Sequence, residues 1–272
     1  MEPVPFRLCI ETVGCPVGQH TAPFLSAIMT TSLDTTAWAI PFNVPLPYDD
    51  GVRLQNALLT TRIAGDIPDT VLFLEHPPVI TKGVRSKDEH ILLSADDLKH
   101  QGIQLTESTR GGDVTWHGPG QLVIYPLLKL GENEADAHGY LWNLEATAIA
   151  TAADYGVEAY RRQGKTGAWT QAGKIAAIGI RLKRWVTHHG MSFNVDPDLS
   201  GFAKIIPCGL VGEPVASLKI LLGDAHPTVA DVRPCLARHF ETIFRRRLTW
   251  LETLNAAPPT LRSILEPYQA YF

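Results

Sequence analysis

Two side chains of this sequence could carry covalent chemistry if folding brings them together, Lys174 and Cys208. Lys174 is the only charge near the start of an apolar run, Gly173 to Ile180, and an unpaired buried charge is costly unless it faces a polar pocket. Cys208 stands between a proline and a glycine, which is typical of an irregular loop whose backbone can approach a ligand closely. The pattern indicates a cysteine nucleophile with a desolvated lysine nearby.

A cysteine attacks as its thiolate, so a second group must accept the thiol proton. Histidine is the usual base, and His117, His188 and His189 are candidates. A lysine can serve instead when burial lowers its pKa towards neutrality, because desolvation disfavours the ammonium form. Spacing alone leaves a Cys–His and a Cys–Lys pair equally open. It also leaves open a surface lysine beside a hairpin and a loop histidine that is merely hydrogen-bonded.

A glycine-rich stretch from Arg110 to Gln121 runs directly into an apolar segment, Leu122 to Leu128. Its glycines allow backbone N–H groups to line a ligand at close range. Neither a GxxxxGK[ST] nor a GxGxxG motif is present, so a nucleotide site is weakly supported. A wide turn is the plain alternative, but Arg110, Thr115 and His117 within the stretch favour a binding loop.

Composition excludes several classes of protein. The 272 residues are 45% hydrophobic and 19% charged with a net charge of −4, which is ordinary for a globular protein and gives no global attraction to nucleic acid or anionic membrane. Four cysteines without CxxC spacing argue against a zinc site or a disulfide scaffold, so we expect a reducing cytoplasmic setting and no metal. No apolar run approaches the ~18 residues of a membrane span. Local clusters of basic residues have two interpretations: they form solvent-exposed surface, or they bind an acidic partner.

Periodicity and turn residues predict the main elements. Asp49 or Asp50 is the predicted N-cap of a helix that ends before Gly65. The other predicted elements are a buried strand at 71–74, a neighbouring strand from Val79, helices at 94–99 and 141–155, and an antiparallel meander at 157–195 that turns at Ala172-Gly173. A last helix has Asp231 as its N-cap and Pro234 in its first turn.

Charge and periodicity along the chain also predict the domain organisation. Residues 1–36 carry little charge and no sustained period, which predicts a mobile N-terminal extension or a true start at Met29. Residues 37–250 are expected to form a single catalytic domain, because no repeat or linker interrupts them. Residues 251–272 are expected to form a C-terminal tail.

Four segments together resemble the lipoyl (octanoyl) transferase family. They are the stretch from Arg110 to Gln121, Gly173 to Gly179, His189 to Asn194, and Pro207-Cys208-Gly209. Glu75 to Val79 with Gly83 is similar to the family's early signature, and the likeness covers about Trp38 to Leu222 in the right order. Trp116 stands where the family commonly has tyrosine, and Met191-Ser192 varies a common pair of small apolar residues.

The resemblance implies an α/β (α+β) fold, a single domain with a mixed, largely antiparallel sheet flanked by helices, as in biotin and lipoate protein ligases. It also implies an enzyme that moves an octanoyl or lipoyl group from acyl carrier protein to a lysine of lipoyl domains, in 2-oxoacid dehydrogenase complexes and the glycine cleavage H protein. Because thioester exchange is nearly isoenergetic, no ATP and no cofactor are expected.

Residue roles follow from the same resemblance. Cys208 is the nucleophile that becomes an acyl-thioester, and Lys174 lowers the pKa of the thiol and shuttles protons. The acyl-binding site is expected to comprise Arg110, Gly111, Gly112, Asp113, Val114, Thr115, Trp116, His117, Ala177, Ile178, Gly179, Gly190, Met191 and Ser192. Of these, Val114, Trp116, Ile178 and Met191 are predicted walls of an apolar tunnel.

Three competing interpretations remain at this point. An ATP-dependent lipoate or biotin protein ligase would activate the acid as an adenylate and would need no nucleophilic cysteine. A non-catalytic carrier-binding module would keep the fold without thioester turnover. A cysteine hydrolase would admit water to the acyl-enzyme.

Overall fold

The computed structural model describes residues 35–206 and 213–272, so most of the predicted N-terminal extension and the segment containing Cys208 lie outside the described residues. The strands are β1 (Thr35–Pro41), β2 (Asp69–Leu74), β3 (Val79–Lys82), β4 (Gln104–Glu107), β5 (Val114–His117), β6 (Gln121–Leu127), β7 (Tyr160–Arg162), β8 (Lys165–Thr170), β9 (Gly173–Lys183), β10 (Val186–Asn194) and β11 (Arg246–Trp250). The α-helices are α1 (Tyr48–Ala64), α2 (Ala95–His100), α3 (Ala137–Asp154), α4 (Leu218–Leu222), α5 (Val229–Phe244) and α6 (Pro259–Leu265).

In the described part of the chain, eight strands form one mixed sheet in the order β11-β1-β2-β6-β10-β9-β8-β7. The pairs β11–β1 and β1–β2 are parallel, and every pair from β2–β6 to β8–β7 is antiparallel. This arrangement confirms the predicted mixed, largely antiparallel sheet, and the meander from β8 to β10 lies where the sequence predicted it.

Helices cover both faces of this sheet, as alternation along β2 shows. Val71 and Phe73 join a core cluster with residues of α3 and α5, whereas Leu72 and Leu74 join a second cluster with residues of α1 and α6. Side chains of successive strand residues point to opposite faces, so a strand that is apolar at every position is buried on both sides. The buried strand predicted at 71–74 is confirmed.

A second, smaller sheet corrects two predictions. The strand from Val79 is not a neighbour of β2, because β3 pairs with β4 and β5 instead. Pro77 and Pro78 lie between β2 and β3 and end the first strand, because proline has no backbone N–H to donate to a sheet hydrogen bond. The stretch from Arg110 to Gln121 is not loop throughout, because β5 forms within it and pairs with β3 before the chain turns into β6.

Helix α1 begins at Tyr48 with Pro47 at its N-cap, so Asp49 and Asp50 lie in the first turn and are not the cap. Gly65 ends α1 in the left-handed region at φ 89°, as predicted, and α3 begins one turn earlier than predicted, capped by Asp136. The prediction of Asp231 as an N-cap is wrong. Thr228 caps α5, and Asp231 is the third helical residue of a capping box with it. Pro234 therefore lies beyond the first turn.

The C-terminal segment 251–272, expected to be a tail, carries α6. Leu261 and Leu265 of α6 are fully buried in the cluster that α1 also supplies. Helix α6 thus covers part of the sheet face that also carries the cavity described below. None of the helices in residues 35–206 and 213–272 has the length and apolar character that a membrane crossing requires.

Candidate functional site

A cavity that is partly open to solvent lies between the two sheets. Its walls come from the glycine loop, from β5 and β6, and from the adjacent strands β9 and β10. The lining residues are Arg110, Gly111, Gly112, Thr115, His117, Val123, Tyr125, Ala177, Ile178, Gly179, His189, Gly190, Met191 and Ser192. Folding therefore brings together most of the residues that the sequence suggested for an acyl-binding site.

Strand β5 divides its side chains between the cavity and a hydrophobic cluster. Thr115 and His117 line the cavity, whereas Val114 and Trp116 pack with Phe202 on the opposite side. Since side chains alternate along a strand, all four cannot face the same space. The prediction that Val114 and Trp116 form tunnel walls does not fit this geometry. Ile178 and Met191 are among the lining residues, but their side chains pack with the core cluster on the other face of the large sheet.

Asp113 also lies outside this cavity. Its carboxylate contacts Nδ1 of His90 at 2.5 Å and accepts a hydrogen bond from the backbone N–H of Val114. Sequence reasoning had missed Val123 and Tyr125 because they belong to an apolar run that gave no chemical signal. The signal that could have found them is alternation, which places them on one face of β6.

Close backbone approach explains the glycines of the site. The N–H of Gly111 donates to the carbonyl oxygen of Ile180 at 3.0 Å, which places the glycine loop directly against β9. A Cβ on Gly179 would lie 2.8 Å from the carbonyl oxygen of Gly111. Arg110, which is buried, extends from the same loop and donates to Thr81 of β3, so the loop is tied to both sheets.

Three buried histidines have lowered pKa values at this site, and two of them, His117 and His189, line the cavity. Burial is the main cause that lowers the pKa of His76 to about 4 and the pKa values of His117 and His189 to about 3. Nε2 of His76 lies 2.8 Å from the hydroxyl of Tyr125, and Nδ1 of His117 lies 2.6 Å from Oε1 of Gln121. Imidazoles with such low pKa values are weak bases near pH 7, which argues against a Cys–His pair that uses them.

Lys174 lines a second, larger cavity of about 560 Å³ that adjoins the first. The two cavities share Gly111, Gly112, Ile178 and Gly179. The other charged residues around the second cavity are Arg85, Lys87, Asp113 and Lys165, so its wall is predominantly cationic. The second, polar cavity is thus continuous with the first cavity beside the glycine loop.

The chain on either side of the Cys208 segment is anchored at this second cavity. Ile206 donates its N–H to the carbonyl oxygen of His90 at 2.8 Å. Lys174 donates its N–H to Pro214 at 2.9 Å and accepts one from Ala216 at 3.0 Å through its carbonyl oxygen. Because His90 and Lys174 both line the second cavity, the described residues that flank 207–212 begin and end beside it.

Cys208 itself lies outside the described residues, so its distance from Lys174 stays a prediction. Cys235, on α5, is buried and disulfide-bonded, contrary to the reduced state expected from composition. It therefore offers no free thiol. Within residues 35–206 and 213–272, no group of three histidine, cysteine, aspartate or glutamate side chains is arranged to hold a metal ion.

Two solved structures share the fold at low sequence identity. A lipoate-protein ligase A bound with ATP superposes with a TM-score of 0.68 at 13% identity, covering 87% of this chain and 94% of that one. A putative lipoate protein ligase from T. acidophilum gives a TM-score of 0.67 at 14% identity, covering 86% and 94%. At these identities the likeness shows the fold alone, and it confirms the predicted lipoate-ligase-like architecture.

Sequence relatives are much closer. An octanoyltransferase of Geobacter metallireducens is 44% identical over 213 residues, which are 78% of this chain and 96% of that protein. An octanoyltransferase of Syntrophotalea carbinolica is 45% identical over 212 residues, covering 78% and 95%. Residues 47–241 match the sequence profile of the lipoyl protein ligase A/B catalytic domain. The chain therefore belongs to the lipoyl protein ligase A/B catalytic domain family.

Proposed function

We propose that this protein is an octanoyltransferase of protein lipoylation. It takes an octanoyl or lipoyl group from acyl carrier protein and delivers it to a lysine of a lipoyl domain, including those of 2-oxoacid dehydrogenase complexes and the glycine cleavage H protein. The observation that carries the proposal is the composition of the cavity. All the expected acyl-binding residues except Asp113, Val114 and Trp116 line it, in a chain that is 44% identical to an octanoyltransferase.

The cavity suits a short acyl chain. Val123, Tyr125 and Ala177 supply apolar wall, while Arg110 and Thr115 add polar groups. An octanoyl chain buries about six methylenes at ~0.8 kcal/mol each, or roughly 5 kcal/mol, which is enough for an apolar pocket to select chain length. Asp113 remains a proposed substrate-binding residue through the second cavity, which it lines beside Lys174.

In the proposed reaction, the thiol of Cys208 gives its proton to the Nζ atom of Lys174 and attacks the carbonyl carbon of the carrier thioester. The bond between that carbon and the carrier sulfur breaks, and the leaving thiolate takes the proton from Nζ. In the second half, the acceptor lysine attacks the Cys208 thioester, an amide bond forms, and the displaced proton returns through Lys174 to the sulfur. Each step balances without ATP, a metal or a redox cofactor.

The test is intact-mass spectrometry after incubation with octanoyl acyl carrier protein in the absence of ATP. Wild-type protein should gain one octanoyl group, and Cys208→Ala should gain none. Peptide mapping of the wild-type adduct should place the octanoyl group on Cys208 and not on Cys9 or Cys15. An adduct that persists on Cys208→Ala would refute the thioester intermediate.

Lys174 is tested by a second pair of variants. Lys174→Ala should slow acylation more than it weakens binding of the acyl donor, because its proposed role is proton transfer. Lys183→Ala is the control, since Lys183 is an exposed lysine of the same strand β9 and lies outside both cavities. A wild-type pH–rate profile in Lys174→Ala would remove this lysine from the mechanism.

The ATP-dependent ligase remains the alternative function, because both solved structures compared above are named as lipoate protein ligases. Turnover that requires ATP and free octanoate, and that survives Cys208→Ala, would favour the ligase. Turnover with the carrier thioester alone would favour the transferase.

A further inference from the structure

The side chain of Trp169 lies against the ammonium group of Lys174. The two residues are directly opposite each other in the antiparallel pair of β8 and β9. Nζ of Lys174 is 4.7 Å from the centroid of the indole ring, which is within the range of a cation–π contact. Residues directly opposite in a sheet project from the same face, so this contact is built into the strand register.

The indole ring has little freedom to turn away. Trp169 is 1% exposed, and its Nε1 donates to the carbonyl oxygen of Lys165 at 3.1 Å. The guanidinium carbon of Arg162 lies 4.5 Å from the ring centroid. Burial, a hydrogen bond and a cationic neighbour therefore hold the ring in place independently of Lys174.

A glycine keeps the path of the lysine stem clear. Gly167 has φ +119°, and a Cβ there would lie 2.4 Å from the carbonyl oxygen of Ala176 and 3.5 Å from Cε of Lys174. The N–H of Gly167 donates to the buried carboxylate of Glu145 at 2.9 Å. The backbone beside the stem is thus held in a conformation that a larger residue would strain.

We propose that Trp169 is a positioning residue for Lys174, holding its ammonium form at the second cavity through the face of the indole ring. The inference rests on the proposed function, in which Nζ of Lys174 receives the thiol proton and returns it to the leaving sulfur. A ring face attracts the ammonium and not the neutral amine. Trp169 therefore stabilises the state in which the proton resides on the lysine.

The experiment compares Trp169→Leu with Trp169→Tyr and Trp169→Phe, using octanoyl acyl carrier protein and mass spectrometry across a pH series. Trp169→Leu fills part of the space without an aromatic face. It should lower the acylation kcat by about 3- to 30-fold, with KM little changed. It should also move the acid limb of the pH–rate profile to lower pH, because the amine that accepts the thiol proton becomes a weaker base.

The aromatic variants should recover both readouts in the order Tyr then Phe, behind tryptophan. Trp185→Leu is the control and should behave as wild type, since Trp185 is 45% exposed at the turn between β9 and β10. A wild-type pH profile in Trp169→Leu would overturn the proposal. So would equal slowing in all three variants with no displacement of the acid limb, which indicates a purely structural role.

Two outcomes keep the proposals separable. If Trp169→Leu does not fold, as judged by circular dichroism, the comparison of the tyrosine and phenylalanine variants with wild type decides, and the absence of an ordered effect overturns the inference. An octanoyl adduct on Cys208→Ala would instead remove the proposed function. Loss of the adduct in that variant together with an unaltered Trp169 series would remove the Trp169 inference alone.

Discussion

Three buried hydrogen bonds join Arg110 of the glycine loop to Thr81 of β3. Nε and Nη2 of Arg110 donate to the hydroxyl of Thr81 at 3.0 and 2.8 Å, and Nη2 also donates to its carbonyl oxygen at 2.7 Å. A buried arginine needs such acceptors, because its charge cannot be neutralised by loss of a proton. The hydroxyl of Thr81 therefore accepts two of the hydrogen bonds that hold Arg110 in the cavity wall.

Thr81→Val should accordingly destabilise the protein and impair the site, because it removes the hydroxyl and leaves two donors of a buried guanidinium without that acceptor. We expect a loss of about 1.5–3 kcal/mol in the free energy of unfolding and slower acylation. Urea denaturation and the mass-spectrometric assay check this. Thr81→Ser keeps the hydroxyl and should stay close to wild type in both. Equal behaviour of the two variants would show that the hydroxyl is dispensable.

The sequence predicted the residues of the site better than it predicted their orientation. Spacing and the Gly173 turn placed Lys174 at the start of β9, where the structure has it. The same reasoning read β5 as loop, so it could not separate Thr115 and His117, which face the cavity, from Val114 and Trp116, which do not. Alternation becomes informative only after a segment is known to be a strand.

Strand register and sheet topology could not be predicted from the sequence for a related reason. The pairing of Trp169 with Lys174 depends on a register shift between Ala168 and Trp169. A β-bulge of this kind moves every later partner by one position, and no local propensity specifies it. The separation of β3 from the large sheet likewise depends on long-range pairing with β4 and β5.

Gly179→Ala should disturb the glycine loop. The added Cβ would lie 2.8 Å from the carbonyl oxygen of Gly111 and 3.2 Å from Cδ of Arg110. Overpacking of this kind costs about 1–3 kcal/mol, and we expect acylation to slow by about tenfold or more as the loop moves. Gly131→Ala is the control, because its Cβ would meet nothing nearer than 3.7 Å. Wild-type kinetics in Gly179→Ala would mean that the loop tolerates displacement.

Ala177→Leu should shift the acyl-chain preference towards shorter chains. Ala177 lines the cavity, and leucine adds three carbons to its wall. Since each buried methylene contributes ~0.8 kcal/mol, displacing three of them should lower the ratio of kcat/KM for octanoyl over butyryl donor by about tenfold or more. Ala172→Leu, at an exposed position of the turn before β9, should leave the ratio unchanged. An unchanged ratio in Ala177→Leu would place the acyl chain elsewhere.

The stability of the protein should fall on acidification below about pH 6.5. His188 is 5% exposed, and burial, with Arg181 and Lys183 nearby, lowers its pKa to about 4 from an ordinary value near 6.5. Between these pH values the unfolded chain binds a proton that the folded chain does not, so each such histidine lowers the free energy of unfolding by about 1.4 kcal/mol per pH unit. The contribution of His188 to the free energy of unfolding is fully present above pH 6.5 and is lost as the pH falls towards 4.

His188→Gln should remove one of these protons, so its free energy of unfolding should fall less steeply, by about 1.4 kcal/mol per pH unit. His76, His117 and His189 still supply a slope in that variant, because their pKa values are also lowered by burial. Urea unfolding at pH 7, 6 and 5 measures the difference. His138→Gln, which replaces an exposed histidine of α3, should keep the wild-type slope. Identical slopes for the two variants would mean that His188 gains its proton as readily in the folded protein as in the unfolded chain.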